Sequence, residues 1–225
     1  MEAWFAENAL YILVIFGTIF TYVWLWSFHD TLKLKPGAVF AITVSYTFFD
    51  AVCVKLFAVI EYLDISAINK MSLFGAILFM PFVIFGIAKI SGIKPLLLFD
   101  ISTPCFLFMF ICGRVNCLIA GCCYGIYLAS GFRWPVREAE IAFYLVLMII
   151  FSVKQKKGIF SGTCYAVFLL SYGIFRFAAE FVRYFPDQEG LWHRGHFCAA
   201  VSFIAGLIWF IIIRKKKNAA DVKYA

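Results

Sequence analysis

Charged side chains are scarce in this sequence of 225 residues. Asp, Glu, Lys and Arg together make up 15% of the chain, whereas 64% of the residues are hydrophobic and the mean hydropathy is +0.92. Because soluble domains average about 45–50% apolar residues, this composition excludes an ordinary soluble domain and indicates a protein that crosses a membrane several times. Low-complexity linkers are also lacking, so the sequence predicts one domain over residues 1–225.

The N-terminus lacks the basic region that begins a secretory signal peptide. Glu2 and Glu7 stand there instead, so we expect the first apolar segment to be retained. The formal net charge of +7 would by itself suggest a nucleic-acid partner. Most of the excess lies in short loops between apolar segments, however, where it reports membrane topology. No nucleic-acid partner is therefore expected.

Seven apolar segments approach the length of about 20 residues that a membrane-spanning helix needs. They cover residues 9–28, 39–59, 73–88, 96–119, 141–153, 160–181 and 197–213, and the fifth is short on its own. The loops alternate in charge, with lysines such as Lys154 and Lys156 on one side and acids such as Glu61 and Asp64 on the other. By the positive-inside rule, the sequence predicts an all-α bundle of about seven transmembrane helices, with the N-terminus outside and the C-terminus inside.

Eight cysteines are present, but their distribution is not that of a disulfide framework. Five lie in apolar segments, where cysteine usually acts as a small hydrophobic residue. Cys117, Cys122 and Cys123 lie near the predicted outer side, as do His193 and His196. A zinc site is one interpretation of these residues, but Cys-x4-Cys-Cys is not the spacing of a familiar zinc motif. We expect no metal and no other cofactor, and interpret the three cysteines as packing residues.

Ionisable side chains inside predicted membrane segments are rare and are functional by default. Asp50 and Lys55 nevertheless favour a structural interpretation, in which they neutralise each other or groups on a neighbouring helix, because an unpaired buried charge is costly. Asp100 follows Lys94 by only a few residues, so we expect it at the cytoplasmic interface.

Arg114 and Arg176 differ from these residues because they lie at matched depth in two segments that run in the same direction. Arg114 is about 30 Å along its helix from Lys94, at 1.5 Å per residue. Arg176 is about 27 Å along its own helix at the same rise. Both are expected in the outer part of the membrane, where a guanidinium fork suits the phosphate oxygens of a phospholipid. The alternatives are that Arg114 only reaches to the outer interface and that Arg176 pairs with Glu180 on its own helix.

Glycines surround Arg114 in the sequence. Gly113, Gly121 and Gly125 would let backbone approach backbone or ligand closely. The apolar run ends near residue 119, so residues 120–125 are expected to form an irregular loop at the outer face. Irregular backbone is tolerated at membrane depth where it lines a cavity, and a substrate pocket is one such cavity.

Three ordered motifs in these regions resemble those of the prolipoprotein diacylglyceryl transferase family. "FDISTP" at residues 99–104 leads into the first motif, which opens with Gly113-Arg114 and has Gly121 and Gly125 in register. The second is "RWP" at residues 133–135, with Glu140 after it. The third, "SYGIFRFAAEFVRYFPD" at residues 171–187, contains the family's Tyr-Gly-x-x-Arg-x-x-x-Glu-Phe-x-Arg in full. The resemblance runs from about residue 52 to the end, and seven spans with this orientation are also the family topology.

The chain departs from the family pattern in several places. Where the family usually has Gly-Asn, then Asn and Glu after its Gly-Arg, this chain has Asn116, Cys117, Ala120 and Cys122. The family's Ser-x-His-Gly-Gly is replaced by "SLFGA" at residues 72–76, which removes the histidine. Arg137 and Ala139 replace a glutamine and a tyrosine, and the chain is short for the family, which suggests a trimmed outer region.

The resemblance implies a monomeric, multi-pass enzyme of the bacterial cytoplasmic membrane with its active site facing the outer leaflet. Its reaction would move the diacylglyceryl group of phosphatidylglycerol to the lipobox cysteine thiol of a lipoprotein precursor and release glycerol phosphate. The expected catalytic residues are Arg114, Arg176, Glu180 and His196, with the general base left open between Glu180, His193 and His196. The expected substrate contacts are Gly113, Asn116, Gly121, Gly125, Arg133, Glu140, Tyr172 and Arg183.

Two other functions remain open from the sequence. The altered residues between Cys117 and Cys123 favour a paralogue that uses the same donor on a non-protein envelope acceptor. The missing histidine favours a lipid-binding membrane protein without catalysis, although the retained arginines weigh against it.

Overall fold

The computed structural model of the protein describes residues 2–185 and 192–223, and the described chain is an all-α bundle, as predicted. The α-helices are α1 Glu2–Trp26, α2 His29–Leu32, α3 Pro36–Tyr62, α4 Leu73–Ile90, α5 Pro95–Ile119, α6 Val136–Lys156, α7 Cys164–Glu180 and α8 Arg194–Lys223, with a short 3-10 helix at Ile65–Asn69. Both α3 and α5 begin with a proline, which lacks the N–H that would go unpaired there. The described residues contain two isolated β-bridges and no strand.

Five of these helices are long and apolar enough to cross a membrane. Their candidate spans are Asn8–Trp26, Pro36–Tyr62, Leu73–Ile90, Pro95–Ile119 and Arg194–Lys216. The sequence also assigns spans within α6 and α7, but α6 carries charged residues at both ends and α7 has 17 residues. The structure thus confirms a helical membrane bundle, whereas the count of seven spans and the orientation of the termini stay predictions, as does the single domain.

Helix α5 is the central element of the bundle, in contact with α1, α4, α6 and α7. Its buried residues include the polar side chains of Asp100, Ser102 and Thr103. By contrast, α1 and α3 expose large apolar side chains such as Phe16, Phe40 and Phe48, as expected of helices that face lipid.

The buried Asp100 links α5 to α6 and α7. Its Oδ2 accepts a hydrogen bond from the Gly162 N–H at 2.6 Å, and its Oδ1 accepts one from the Cys164 N–H at 2.9 Å, so it caps the start of α7. Pro104, four residues later in α5, has no N–H to donate to the Asp100 carbonyl, and the Gln155 side chain of α6 donates there instead. Asp100 is fully buried in this network, and its expected depth at the cytoplasmic interface stays a prediction.

The expected ion pair between Asp50 and Lys55 is absent from the described part of the chain. Lys55 is exposed, whereas Asp50 lines a small cavity with Thr21, Tyr46 and Thr47. Five residues apart on one helix, the two side chains lie about 140° apart around the axis and cannot meet, since an α-helix has 3.6 residues per turn.

Candidate functional site

Five charged side chains form one continuous set of ion pairs, which we call the arginine–glutamate chain: Arg114, Glu140, Arg176, Glu180 and Arg183. Arg114 Nε contacts Oε2 of Glu140, and Arg176 Nη1 contacts Oε1 of the same carboxylate. Arg176 Nη2 lies 3.0 Å from Glu180 Oε2, and Arg183 Nη1 lies 3.7 Å from that oxygen. Helices α5, α6 and α7 thus each contribute a charged group to one network.

The arginine–glutamate chain is buried and carries a net positive charge. Its four central side chains, Arg114, Glu140, Arg176 and Glu180, belong to residues that expose 7%, 1%, 4% and 2% of their surface. Three arginines share two glutamates, so the network carries one net positive charge. Because excess buried charge is costly, this site favours the binding of one further anion.

The fold brings Arg114 and Arg176 together, although the sequence left open a separate role for each of them. Arg114 does not simply reach to the outer interface, because it is buried against Glu140. The Arg176–Glu180 pair is formed, but Arg176 also contacts Glu140 from the neighbouring helix. The two arginines therefore take one oxygen each of a single carboxylate.

Aromatic rings and one glycine shape the walls around these charges. The rings of Tyr144 and Tyr172 stack with centroids 6.4 Å apart, and the Tyr144 hydroxyl lies near Arg114. The Arg176 guanidinium lies 5.5 Å from the centre of the Phe74 ring. A Cβ at Gly195 would lie 1.7 Å from Glu180 Oε1, so only glycine leaves room there for the carboxylate. We did not predict Tyr144, Phe74 or Gly195 from the sequence, because each meets the site only across helices.

The loop after α5 pairs with the segment after α7 and thereby positions Arg183. The Ile126 N–H donates to the Val182 carbonyl and the Tyr184 N–H donates to the Tyr124 carbonyl, each at 2.9 Å. Gly125 permits this path, because a Cβ there would lie 2.3 Å from the Trp134 carbonyl oxygen. The predicted irregular loop therefore exists and is held against the site.

Two of the residues expected to contact the substrate, Arg133 and Asn116, lie outside the arginine–glutamate chain. Arg133 packs its guanidinium 3.8 Å from the centre of the Tyr124 ring and donates from Nε to the Gly125 carbonyl at 3.2 Å, so it holds the loop. Asn116 is half-buried and lies two residues after Arg114, about 200° away around α5. Neither joins the arginine–glutamate chain.

The remaining expected contacts divide between the site and its loop. Glu140 and Arg183 belong to the arginine–glutamate chain, and Tyr172 is fully buried beside it. Gly121 has a φ of +61°, which its place at the end of α5 requires. Gly113 is exposed with open space where a side chain would go, so it does not serve close packing within the protein.

His196, one of the three candidates for the general base, has one ring nitrogen engaged with the backbone. Its Nδ1 accepts a hydrogen bond from the His193 N–H at 3.1 Å, so the neutral ring carries its hydrogen on Nε2. The nitrogen that would have to accept a proton is therefore engaged with the backbone. The carboxylate of Glu180 is held by Arg176 and Arg183, and the choice among Glu180, His193 and His196 as the base stays a prediction.

Cys117, Cys122 and Cys123 come together at the end of α5. Their sulfur atoms all lie within 4.8 Å of one another, and neither His193 nor His196 belongs to this group. A hydrogen bond from Cys117 lowers the pKa of the Cys123 thiol to about 6, against the effect of burial and with the help of the charge on Arg114. Burial raises the pKa of the Cys122 thiol.

The fold and the site together define a helical membrane protein with a buried arginine–glutamate network that carries a net positive charge. Residues 8–212 match the family model for prolipoprotein diacylglyceryl transferase, so the chain belongs to that family. A similar curated protein is the phosphatidylglycerol–prolipoprotein diacylglyceryl transferase of Dehalococcoides mccartyi, which is 25% identical in an alignment that covers 74% of each chain. The family resemblance expected from the three motifs is thereby confirmed.

Proposed function

We propose that this protein transfers the diacylglyceryl group of phosphatidylglycerol to the lipobox cysteine thiol of a prolipoprotein. The supporting observation is that Arg114 and Arg176 hold the two oxygens of one carboxylate, that of Glu140. A phosphodiester offers two equivalent non-bridging oxygens and one negative charge, so it suits the same pair of guanidinium groups. The name of the Dehalococcoides relative gives the same donor and acceptor.

The charge of the site also suits the reaction. The arginine–glutamate chain has one uncompensated positive charge, which a bound phosphodiester would neutralise. When the thiol sulfur bonds to the glyceryl carbon, the carbon–oxygen bond to phosphate breaks and the released glycerol phosphate gains negative charge. Guanidinium groups fixed in a dry site stabilise that charge without reorganising as it develops.

Glu140 is the group that we propose takes the proton of the acceptor thiol. Phosphate oxygens that occupy Arg114 and Arg176 would displace the Glu140 carboxylate from both of its partners. A buried carboxylate without a partner is costly, so uptake of the thiol proton would relieve it. The thiolate that forms is the nucleophile. Nε2 of His196, which carries hydrogen, would then act as a donor rather than as a base.

A complementation experiment tests this function. A bacterium depleted of its own diacylglyceryl transferase would express this chain together with a reporter prolipoprotein, whose mass is then measured. We expect growth and a reporter that gains one diacylglyceryl group on its lipobox cysteine. A reporter without that group, at normal membrane levels of the protein, would exclude prolipoprotein as the acceptor.

A second measurement separates the two alternative functions. Purified protein is incubated with vesicles that contain phosphatidylglycerol, and release of glycerol phosphate is followed with the reporter or with an envelope extract. Release with the extract alone would identify a paralogue with a non-protein acceptor. Phosphatidylglycerol binding without release in either case would identify a lipid-binding protein.

The location and state of the protein are proposed with the function. We propose a monomer in the bacterial cytoplasmic membrane with its active site toward the outer leaflet. Reporter fusions after residue 156, in the lysine-rich end of α6, should report the cytoplasm, and fusions at residue 129, in the loop after α5, should report the outside. The reverse pattern would contradict this orientation.

A further inference from the structure

The three cysteines at the end of α5 form a group that the proposed transfer reaction does not use. We call Cys117, Cys122 and Cys123 the thiol cluster, whose sulfur atoms all lie within 4.8 Å of one another. We propose that the thiol cluster binds one thiophilic metal ion with a filled d shell, zinc(II) or copper(I), through three thiolates. This inference replaces the expectation that the cysteines only pack, and it does not depend on the proposed function.

The end of α5 builds the thiol cluster through its backbone. The Cys122 N–H donates to the Cys117 carbonyl at 3.1 Å and the Gly121 N–H donates to the Leu118 carbonyl at 3.4 Å. With Gly121 in the left-handed conformation, these two bonds form a Schellman motif, which brings the side chains at the positions of Cys117 and Cys122 into contact. The first two thiols therefore meet because of how the helix ends.

The third thiol joins through an unusual backbone conformation. Cys123 has a φ of +58°, in the left-handed region that residues other than glycine seldom occupy. This conformation turns the chain directly after Cys122, so that two adjacent cysteines and one from the preceding helical turn converge. Strained backbone at residues with reactive side chains is typical of functional sites.

The guanidinium of Arg137 lies beside the thiol cluster and would help to balance the charge of a metal–thiolate complex. Arg137 Nη1 donates to the carbonyl oxygens of Cys117 and Cys122 at 3.3 Å each, which fixes both residues. Three thiolates around a zinc ion carry one net negative charge, and around a copper(I) ion two, so a guanidinium beside the complex is favourable. Cys122 is exposed, which gives an ion a path from solvent.

The ligand set selects the class of metal. Thiolates are soft ligands that prefer zinc and copper(I) over magnesium or calcium. Zinc with three protein ligands keeps a fourth position open, whereas copper(I) is satisfied by three sulfur atoms. A disulfide is the competing state, but one between the adjacent Cys122 and Cys123 would be strained.

The test uses the purified, reduced full-length protein in detergent. Zinc(II), copper(I) and the spectroscopic probe cadmium(II) are added separately, and bound metal is counted by elemental analysis. We expect one ion per chain, a thiolate-to-metal absorption band with cadmium, and protection of three thiols from alkylation. Cys117→Ala, Cys122→Ala and Cys123→Ala should each abolish stoichiometric binding, whereas Cys112→Ala, earlier on α5 and outside the thiol cluster, should retain it. The relative strength of zinc and copper binding identifies the ion.

Three results would overturn the proposal. One is no stoichiometric binding of any of the three metals by the reduced protein. Another is equal binding by that variant, which would show an adventitious ion only. The third is a cluster cysteine recovered from cells in a disulfide whose reduction leaves the protein unable to bind metal, which would identify a redox pair instead. Circular dichroism on each variant establishes that the helices are retained.

Discussion

Two buried polar networks in this protein differ in how their charges are matched. Asp100 is compensated by the backbone N–H groups at the start of α7, and its own carbonyl is paired with the Gln155 side chain. The arginine–glutamate chain joins five ionised side chains and keeps a positive charge in excess. The Asp100 network links α5 to α6 and to the start of α7. The arginine–glutamate chain instead holds a carboxylate that an anionic ligand could replace. Mutations should therefore reduce stability at the first and activity at the second.

The largest expected effect is on activity, at Arg114 and Arg176. Arg114→Lys keeps the charge but loses the planar fork, and Arg176→Ala loses both. Removing a donor that stabilises charge in the transition state costs about 3–4 kcal/mol, so turnover should fall about a hundredfold to a thousandfold in each variant. The measurement is glycerol phosphate release per amount of protein in the membrane.

Arg194→Lys is the matched control for this prediction. Arg194 is exposed and donates to the Glu61 carbonyl outside the arginine–glutamate chain. The Arg194→Lys variant should release glycerol phosphate at the same rate as the unmodified protein. Full activity in Arg114→Lys would show that the site needs only a positive charge there.

The contrasting effect, on stability, is expected for Asp100→Asn. The asparagine amide nitrogen cannot accept a hydrogen bond, so one of the two N–H groups from Gly162 and Cys164 loses its acceptor. Loss of a hydrogen bond to a charged group costs about 1.5–3 kcal/mol, so the melting temperature in detergent should fall. The KM for phosphatidylglycerol of the protein that remains folded should stay the same. A raised KM with unchanged stability would assign Asp100 to the substrate site.

A smaller effect on activity is expected for Gly195→Ala. The new Cβ would lie 1.7 Å from Glu180 Oε1, so the carboxylate must move away from its arginine partners. We expect kcat/KM to fall about tenfold, which corresponds to about 1.4 kcal/mol. Gly86→Ala in α4 is the control, because a Cβ there meets nothing within 4 Å. Equal kinetics for the two variants would mean that the position of Glu180 does not matter for transfer.

The smallest effect is expected for Tyr144→Phe, which removes the hydroxyl near Arg114 but keeps the stacked ring. Arg114 keeps its contact with Glu140 when this hydroxyl is lost, so activity should fall by about tenfold or less, or about 1.4 kcal/mol. Tyr165→Phe serves for comparison, because its hydroxyl donates to the Ile77 carbonyl at 2.8 Å and should affect stability alone. A loss at Tyr144 as large as that at Arg114 would indicate that the hydroxyl takes part in the chemistry.

The sequence predicts the part of the site that follows from helix periodicity. Arg176 and Glu180 occur at a spacing of four residues, which places them on one side of α7, and the structure pairs them. The matched depth of Arg114 and Arg176 likewise follows from counting residues along two helices. These inferences need only local geometry.

The rest of the site depends on contacts between helices, which a single sequence does not encode. Glu140 contacts both arginines only because α6 packs beside α5 and α7, and Gly195 adjoins Glu180 only because α8 packs on α7. The tautomer of His196 is set by the backbone N–H of His193, which residue spacing does not predict. The thiol cluster depends on the left-handed φ of Cys123, a conformation that residue type alone does not predict.

The cap that Asp100 supplies to α7 has a consequence for how the protein is made. The hydrogen-bond partners are 62 and 64 residues apart, and all of α6 is synthesised between them. During membrane insertion, the start of α7 can be capped by the Asp100 carboxylate only after α5 is already in place, and Gln155 at the end of α6 must reach the backbone carbonyl of the same residue. Helices α5, α6 and α7 should therefore assemble as one cooperative unit, and two fragments divided between α6 and α7 should become stable in the membrane only when they are produced together.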